Sequence, residues 1–179
     1  NSDIDAGPLE REDLTDDQAY AISALIEGDA SFSEVRYIIE RPELLEAYLE
    51  EAENAEFDTT ALDAAPFIIA ETLLFPYDKG YTFVEALFNE GGWDTVDAAY
   101  VDPPASTEQI LHPEKYLAGE QPVEIHVNDF TGGLGDNWTV WDTNTFGEYQ
   151  IMVMLQDSSM SEQQAQVAAA GWGGDTYVV

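Results

Sequence analysis

The chain has 179 residues, of which 37 are acidic and five are basic, so its formal net charge at pH 7 is −32. No basic patch is present that could meet nucleic-acid phosphates, and no apolar run is long enough to span a membrane. The absence of cysteine excludes disulfides and thiolate metal sites. A hydrophobic content of 45% argues against an acidic disordered chain and predicts a folded core.

The sign of the charge indicates the solvent in which the protein works. Self-repulsion of this size destabilises a compact chain in dilute buffer. In about 1 M salt the Debye length falls to roughly 3 Å, and most of the repulsion is screened. The composition therefore predicts a halophilic, haloarchaeal protein with salt-dependent stability and with surface Na⁺, K⁺ or Ca²⁺ ions. A dedicated calcium loop of the D-x-D-x-D-G type with Glu at position twelve is absent from the sequence.

The first third of the chain predicts a tail followed by helices. Residues 1–13 are polar and read as an acidic tail, and residues 14–179 read as a single domain that is part of a larger parent fold. Thr15 or Asp16 can cap a helix that runs to about Gly28, with helical pattern resuming until Pro42. Residues 42–53 predict an amphipathic helix with an acidic, solvated face.

The middle of the chain contains the strongest apolar pattern. Residues 61–75 predict a helix that Pro76 interrupts or kinks, and the pattern continues to a plausible C-cap at Gly91-Gly92. A short helix is expected at 93–100. Another short helix is expected after a cap at Ser106 or Thr107.

The last third of the chain predicts a small β element and two more helices. Alternation over 123–127 and apolar residues at 138–141 indicate two strands. Helices are expected at 145–156 and 162–170, the second capped by Ser161, and residues 177–179 read as a strand. The expected fold class is α+β and mainly α, a helical domain with a small β element around 123–143.

Three glutamates occur in mainly apolar helical surroundings: Glu27, Glu71 and Glu148. A buried carboxylate is costly unless it is paired or ligated, so each of them requires a partner. The simplest partner is a cation such as Arg36 or Lys79, or a backbone group. A bundle-type carboxylate metal site is disfavoured because its Glu-x-x-His spacing is absent.

The two histidines differ in their surroundings. His112 lies in a Leu-His-Pro-Glu-Lys turn, and His126 lies on the predicted strand. A lone histidine is more often structural than catalytic. A Ser-His-Asp triad stays open, but the sequence contains no G-x-S-x-G elbow.

Several strings resemble a family of secreted or lipid-anchored, zincin-type zinc metallopeptidase-like proteins of actinobacteria, chloroflexi and haloarchaea. The resemblance covers about residues 18–179, and the strings recur in the family's order. They are ALIEGDA (24–30), LLFPYDKGYTFVEALFNEGGW (73–93), PPASTEQILHPEKYLAGEQP (103–122), TFGEY (145–149) and AAGWGGDTY (169–177).

The resemblance implies a set of roles. In the family an upstream helix carries H-E-x-x-H, whose two histidines bind zinc while the glutamate acts as general base. Glu27 of the EGDA string would then be the third zinc ligand. His112 would polarise or stabilise a developing oxyanion, and Tyr77 or Tyr81 would assist. The family also implies an extracellular or cell-envelope location, with a cytoplasmic one still open.

The chain departs from the family pattern at the residues that would bind zinc. It contains no H-E-x-x-H, and Ser31 stands where a glutamate-type zincin would place the orienting aspartate. Zinc would therefore need ligands from outside this chain. The expected partner is an upstream segment of the parent protein that carries the H-E-x-x-H helix. Further copies of this chain are the alternative.

Three functions follow as hypotheses. The first is the C-terminal part of a zincin-like metallopeptidase, inactive as this chain alone. The second is a non-catalytic extracellular or envelope binding domain. The third is a metal-free hydrolase, which requires His112 to face a cleft with a carboxylate in hydrogen-bond reach.

Overall fold

The computed structural model of the chain describes residues 14–55, 58–127, 133–135 and 137–179, so the predicted tail at 1–13 lies outside the described residues. In chain order the elements are α1 (Asp16–Ile39), α2 (Pro42–Asn54), α3 (Thr60–Asp63), α4 (Phe67–Gly91), α5 (Trp93–Val101), α6 (Thr107–Leu111), α7 (Pro113–Leu117), β1 (Thr143–Asn144), α8 (Gly147–Asp157), α9 (Glu162–Ala169) and β2 (Tyr177–Val178).

Helix α1 begins at a reciprocal cap. The Thr15 hydroxyl accepts from the Gln18 amide, while the Gln18 side chain accepts from the Thr15 amide. The helix then runs unbroken to Ile39, so the expected interruption at Gly28 is wrong. Gly28 is buried against the backbone of Gly80 in α4, and this close packing is the reason for a glycine inside the helix.

Helix α4 is the central element of the core. It begins after Pro66 and continues through Pro76, so that proline does not end the helix. The helix packs most extensively on α1, and α5, α6, α8 and α9 complete the core around this pair. The largest fully buried apolar side chains of the described residues are Leu25, Phe75, Phe83, Leu87 and Ile110. Burying them supplies the hydrophobic free energy that stabilises the helix pair.

Helix α2 has the predicted bounds to within a residue but buries none of its side chains. Leu44, Tyr48 and Leu49 are all exposed, with Tyr48 44% exposed. The amphipathic pattern is therefore real, but within the described part of the chain Leu45 is the one apolar side chain of α2 that is even half-buried.

The β element is small, and most of it is not where the alternation predicts. β1 and β2 pair antiparallel, with Thr143 opposite Val178 and Asn144 opposite Tyr177. Residues 123–127 form no strand, because only single contacts, such as Val123 N–H to the Gly173 carbonyl at 2.6 Å, join them to the C-terminal segment. The strand expected at 138–141 is also absent, whereas the one expected at 177–179 is confirmed.

The described structure is mainly helical with a two-stranded sheet, which confirms the predicted α+β, mainly α class. Among the described residues, no helix combines the length and the apolar character that crossing a membrane requires.

Candidate functional site

The centre of the candidate site is a hydrogen bond between His112 and Glu148. His112 is the residue between α6 and α7. It follows the last residue of α6, and Pro113 begins α7 directly after it. Glu148 lies in the first turn of α8. The distance from His112 Nε2 to Glu148 Oε1 is 2.9 Å. The Glu148 side chain is 2% exposed and the His112 side chain is 25% exposed, so the pair joins the interior to the surface.

Burial changes the acidity of Glu148. Removal from water raises the pKa of its carboxyl group, and the hydrogen bond from His112 offsets part of that rise. The second oxygen, Oε2, is buried without a hydrogen-bond partner among the described residues. Within the described residues, His112 is therefore the one hydrogen-bond partner of the Glu148 carboxylate.

The pair faces a cleft with a volume of about 690 Å³ between α4, α8 and α9. Its lining includes the apolar side chains of Phe67, Leu74 and Met152. The polar lining residues include Glu71, Tyr77, Asp78, Lys79, His112 and Glu148. A cleft with an apolar wall and a few convergent polar groups is the usual form of a small-molecule or peptide site.

The structure brings together two of the residues that the family resemblance singles out. Tyr77 and His112 are 35 positions apart in the sequence, yet both line this cleft. Tyr77 is 52% exposed, so its hydroxyl is accessible. Tyr81 does not line the cleft, because its ring packs edge-on against Phe32 with 5.6 Å between centroids. Of these two tyrosines, Tyr77 is therefore the one that lines the cleft with His112.

Glu27 lies outside this cleft. It is half-buried on α1 and, within the described residues, forms no ion pair, since Arg36 bonds to Glu40 instead. The described residues contain no group of three histidine or carboxylate side chains that could hold a metal ion. Glu27 alone does not fit catalytic zinc, so the described part of the chain does not form a zinc site.

Glu71 is less buried than its apolar surroundings predict. It is half-buried and lines the cleft, and its backbone carbonyl accepts a hydrogen bond from the Tyr149 hydroxyl at 2.8 Å. Within the described residues its carboxylate has no ion pair, because Lys79 bonds to Asp78. The expected pairing with Arg36 or Lys79 is therefore wrong for both Glu27 and Glu71. Glu148 is the buried member of the three, and its partner is a histidine.

His126 has no part in the pair. Its side chain is 79% exposed, its Nε2 lies 3.6 Å from Glu124 Oε1, and it does not line the His112 cleft. The interpretation of His126 as a non-catalytic residue remains the simplest one.

Two further carboxylates are buried in the structure, those of Glu108 and Asp17. Glu108 is 3% exposed and bonds to Lys115 Nζ at 2.6 Å. It is the only acidic residue between Asp102 and Glu114, and this isolation is a sequence signal that could have identified it. Asp17 is 1% exposed, and burial raises its pKa to about 7. No sequence signal distinguishes Asp17 from its exposed neighbour Asp16.

Asp175 of the GWGGD string holds the start of α8. Asp175 accepts hydrogen bonds from Trp172 Nε1 at 2.7 Å and from the Phe146 and Gly147 amides at 2.9 and 3.0 Å. Its carboxylate thus caps the first turn of α8, which carries Glu148.

These features define the class of protein: a mainly helical α+β fold with a histidine–glutamate pair at the wall of an open cleft. No protein-family model, curated protein or solved structure gives a significant match to the chain. A function must therefore be proposed from the residues themselves.

Proposed function

We propose that this chain is the C-terminal part of a halophilic, zincin-like metallopeptidase that acts outside the cell or at its envelope, and that it has no peptidase activity as this chain alone. The observation that carries the proposal is the shared cleft of His112 and Tyr77, with His112 held by the buried Glu148. The family resemblance points to His112 and to Tyr77 or Tyr81 from motif position, independently of the geometry.

The pair has a definite chemical use in this proposal. Glu148 Oε1 lies 2.9 Å from His112 Nε2 and orients the imidazole, as a buried carboxylate does for a catalytic histidine. A protonated His112 and the Tyr77 hydroxyl then offer donors to negative charge that develops on a carbonyl oxygen. Neither residue supplies a nucleophile, so these roles complement a site that is completed elsewhere.

Exposed apolar side chains support a covering partner. Ile26 on α1 and Ile69 and Leu73 on α4 are 41%, 50% and 60% exposed. In a chain with 37 acidic residues, uncharged exposed positions on the two central helices favour a partner that packs on them. The proposed partner is the upstream segment of the parent protein, and a homo-oligomer is the alternative.

The coding sequence that precedes Asn1 provides the first test. An H-E-x-x-H motif there supports the proposal, and a parent protein without that motif overturns it. In the parent, Glu27→Gln should abolish zinc binding, whereas His112→Ala should lower kcat and leave zinc bound. This chain alone should show no saturable one-to-one zinc binding by calorimetry in high salt, and a tight stoichiometric site would contradict the proposal.

The second candidate is a metal-free hydrolase, favoured by the hydrogen bond between His112 and Glu148 at an open cleft. The discriminating measurement is hydrolysis of a peptide and an ester library by this chain in EDTA. Activity that His112→Ala removes would support this candidate against the first.

The third candidate is a non-catalytic extracellular or envelope binding domain, favoured by the exposed apolar side of α2. If the parent protein contains no H-E-x-x-H motif and this chain shows no hydrolysis in EDTA, a binding function is favoured over the other two candidates.

A further inference from the structure

A chain of hydrogen bonds joins three helices beside the His112–Glu148 pair. Asp17 in the first turn of α1 accepts at one oxygen, Oδ1, from both the Thr107 amide at 3.1 Å and the Thr107 hydroxyl at 2.5 Å. The same hydroxyl oxygen accepts from the Tyr149 amide of α8 at 3.2 Å. Thr107 thus connects α1 to α8 through a single buried atom.

Both members of the pair lie close to this connection in the sequence. His112 follows α6, the five-residue helix that Thr107 begins. Glu148 directly precedes Tyr149. The contact between Thr107 and Tyr149 therefore holds α6 against the first turn of α8, where the histidine and the glutamate must meet.

A second carboxylate, that of Asp175, also holds the start of α8. Asp175 accepts from the Phe146 and Gly147 amides at 2.9 and 3.0 Å. Gly147 has a φ of +76° and lies so close to the Asp17 carboxylate that a Cβ atom would overlap it. Glu148 is the next residue, so its position follows from contacts made by Asp17 and Asp175.

We propose that Asp17, Thr107 and Asp175 are positioning residues that hold α6 and α8 in the register at which His112 Nε2 meets Glu148 Oε1. The importance of this register for catalysis rests on the proposed function. The register itself is a property of the fold and can be measured without any activity.

The chain offers an internal reference for the test. Its two histidines are His112 in the cleft and the exposed His126, so an imidazole ¹⁵N spectrum contains one signal set from the pair and one reference set. Thr107→Val keeps the shape of the side chain and removes the hydroxyl. Thr107→Ser keeps the hydroxyl and is the matched control.

In about 3 M KCl we expect Thr107→Val to remain folded and to raise the exchange rate of the His112 Nε2 proton by at least about tenfold, with the His126 signals unchanged. Thr107→Ser should exchange like the wild type. Glu148→Gln removes the ionisable partner of His112 and provides the reference exchange rate for that loss.

A folded Thr107→Val protein with wild-type His112 exchange would overturn the assignment. If Thr107→Val does not fold, Asp175→Asn, which weakens the cap at α8 and leaves Thr107 intact, is measured in the same way. Unfolding of both variants in salt where the wild type is folded would show a general structural role and would also overturn the assignment. Because none of these readouts uses hydrolysis, failure of the peptidase proposal leaves this test unaffected.

Discussion

Gly28 of α1 packs directly on the backbone of Gly80 in α4. A Cβ atom at either position would overlap the backbone of the opposite helix, so the two central helices approach more closely than any larger residue allows. Both glycines occur in the strings that carry the family resemblance, EGDA and FPYDKG. The crossing therefore explains in physical terms why these two strings need glycine.

This crossing gives the first prediction. Gly28→Ala should lower the free energy of unfolding by about 1–3 kcal/mol, because the added methyl group forces the helices apart. Gly171→Ala is the matched control, since a Cβ there would meet no atom within 4 Å, and its effect should stay within about 0.5 kcal/mol. Urea unfolding in high salt measures both. Equal effects of the two substitutions would contradict the close approach.

The second prediction concerns Lys115, which bonds to the buried Glu108 at 2.6 Å and to Glu120 at 3.0 Å. Lys115→Met leaves Glu108 as an uncompensated buried charge and should cost about 2–4 kcal/mol of stability. Adding Glu108→Gln should restore part of the loss, because the neutral amide tolerates burial better.

The other lysine is the control for this prediction. Lys79 pairs with Asp78, whose side chain is 69% exposed, so Lys79→Met should change stability by less than about 1 kcal/mol. A complete double-mutant cycle of Lys115 with Glu108 that gives no coupling would show that the 2.6 Å bond is not maintained in solution.

The third prediction follows from the buried carboxyl group of Asp17. Burial raises its pKa from 3.8 to about 7. The folded state keeps this proton over a pH range in which the unfolded chain has already lost it. The contribution of Asp17 to stability is therefore fully present below about pH 4 and is lost as the pH rises through about 7.

Asp17→Asn tests this sign, because asparagine stays neutral at every pH. Between about pH 4 and pH 7 the stability of Asp17→Asn relative to the wild type should increase by about 2–4 kcal/mol. Only the difference between the two proteins is informative, since all other carboxylates titrate in both. A difference that does not change with pH, measured by urea unfolding at constant high salt, would contradict a buried proton at Asp17.

The fourth prediction concerns salt. Since the net charge is −32, the melting temperature should rise steeply between about 0.2 and 2 M KCl as repulsion is screened. Circular dichroism melts over a KCl series measure this rise. Replacing five exposed glutamates of α2 by glutamine, namely Glu43, Glu46, Glu50, Glu51 and Glu53, should reduce its slope. A flat melting temperature over the same range would contradict the halophilic interpretation.

The helix starts could be predicted because they depend on residues three positions apart. Thr15 with Gln18 and Ser161 with Gln164 form reciprocal caps in the structure, as their sequence spacing suggests. The Ser106 cap accepts from the Gln109 amide in the same way. Such contacts form within one helical turn, so the local sequence is sufficient to identify them.

The predicted β element shows where local pattern stops being informative. Val123, Ile125 and Val127 alternate as a strand does, yet all three are exposed and form no ladder. A strand needs a partner, and β1 pairs instead with residues 177–178 at the other end of the domain. The choice between these pairings depends on how the C-terminal segment packs. The alternation within residues 123–127 carries no information about that packing.

The sequence by itself determined the helical character, predicted the solvent adaptation and supplied the short list of residues worth examining, because charge, periodicity and caps are local quantities. Only the tertiary structure decided which glutamate is the buried one. Glu27, Glu71 and Glu148 look alike in sequence, and Glu148 alone is enclosed. The reason is that burial and the 2.9 Å bond to His112, 36 residues away, depend on the packing of α6 against α8.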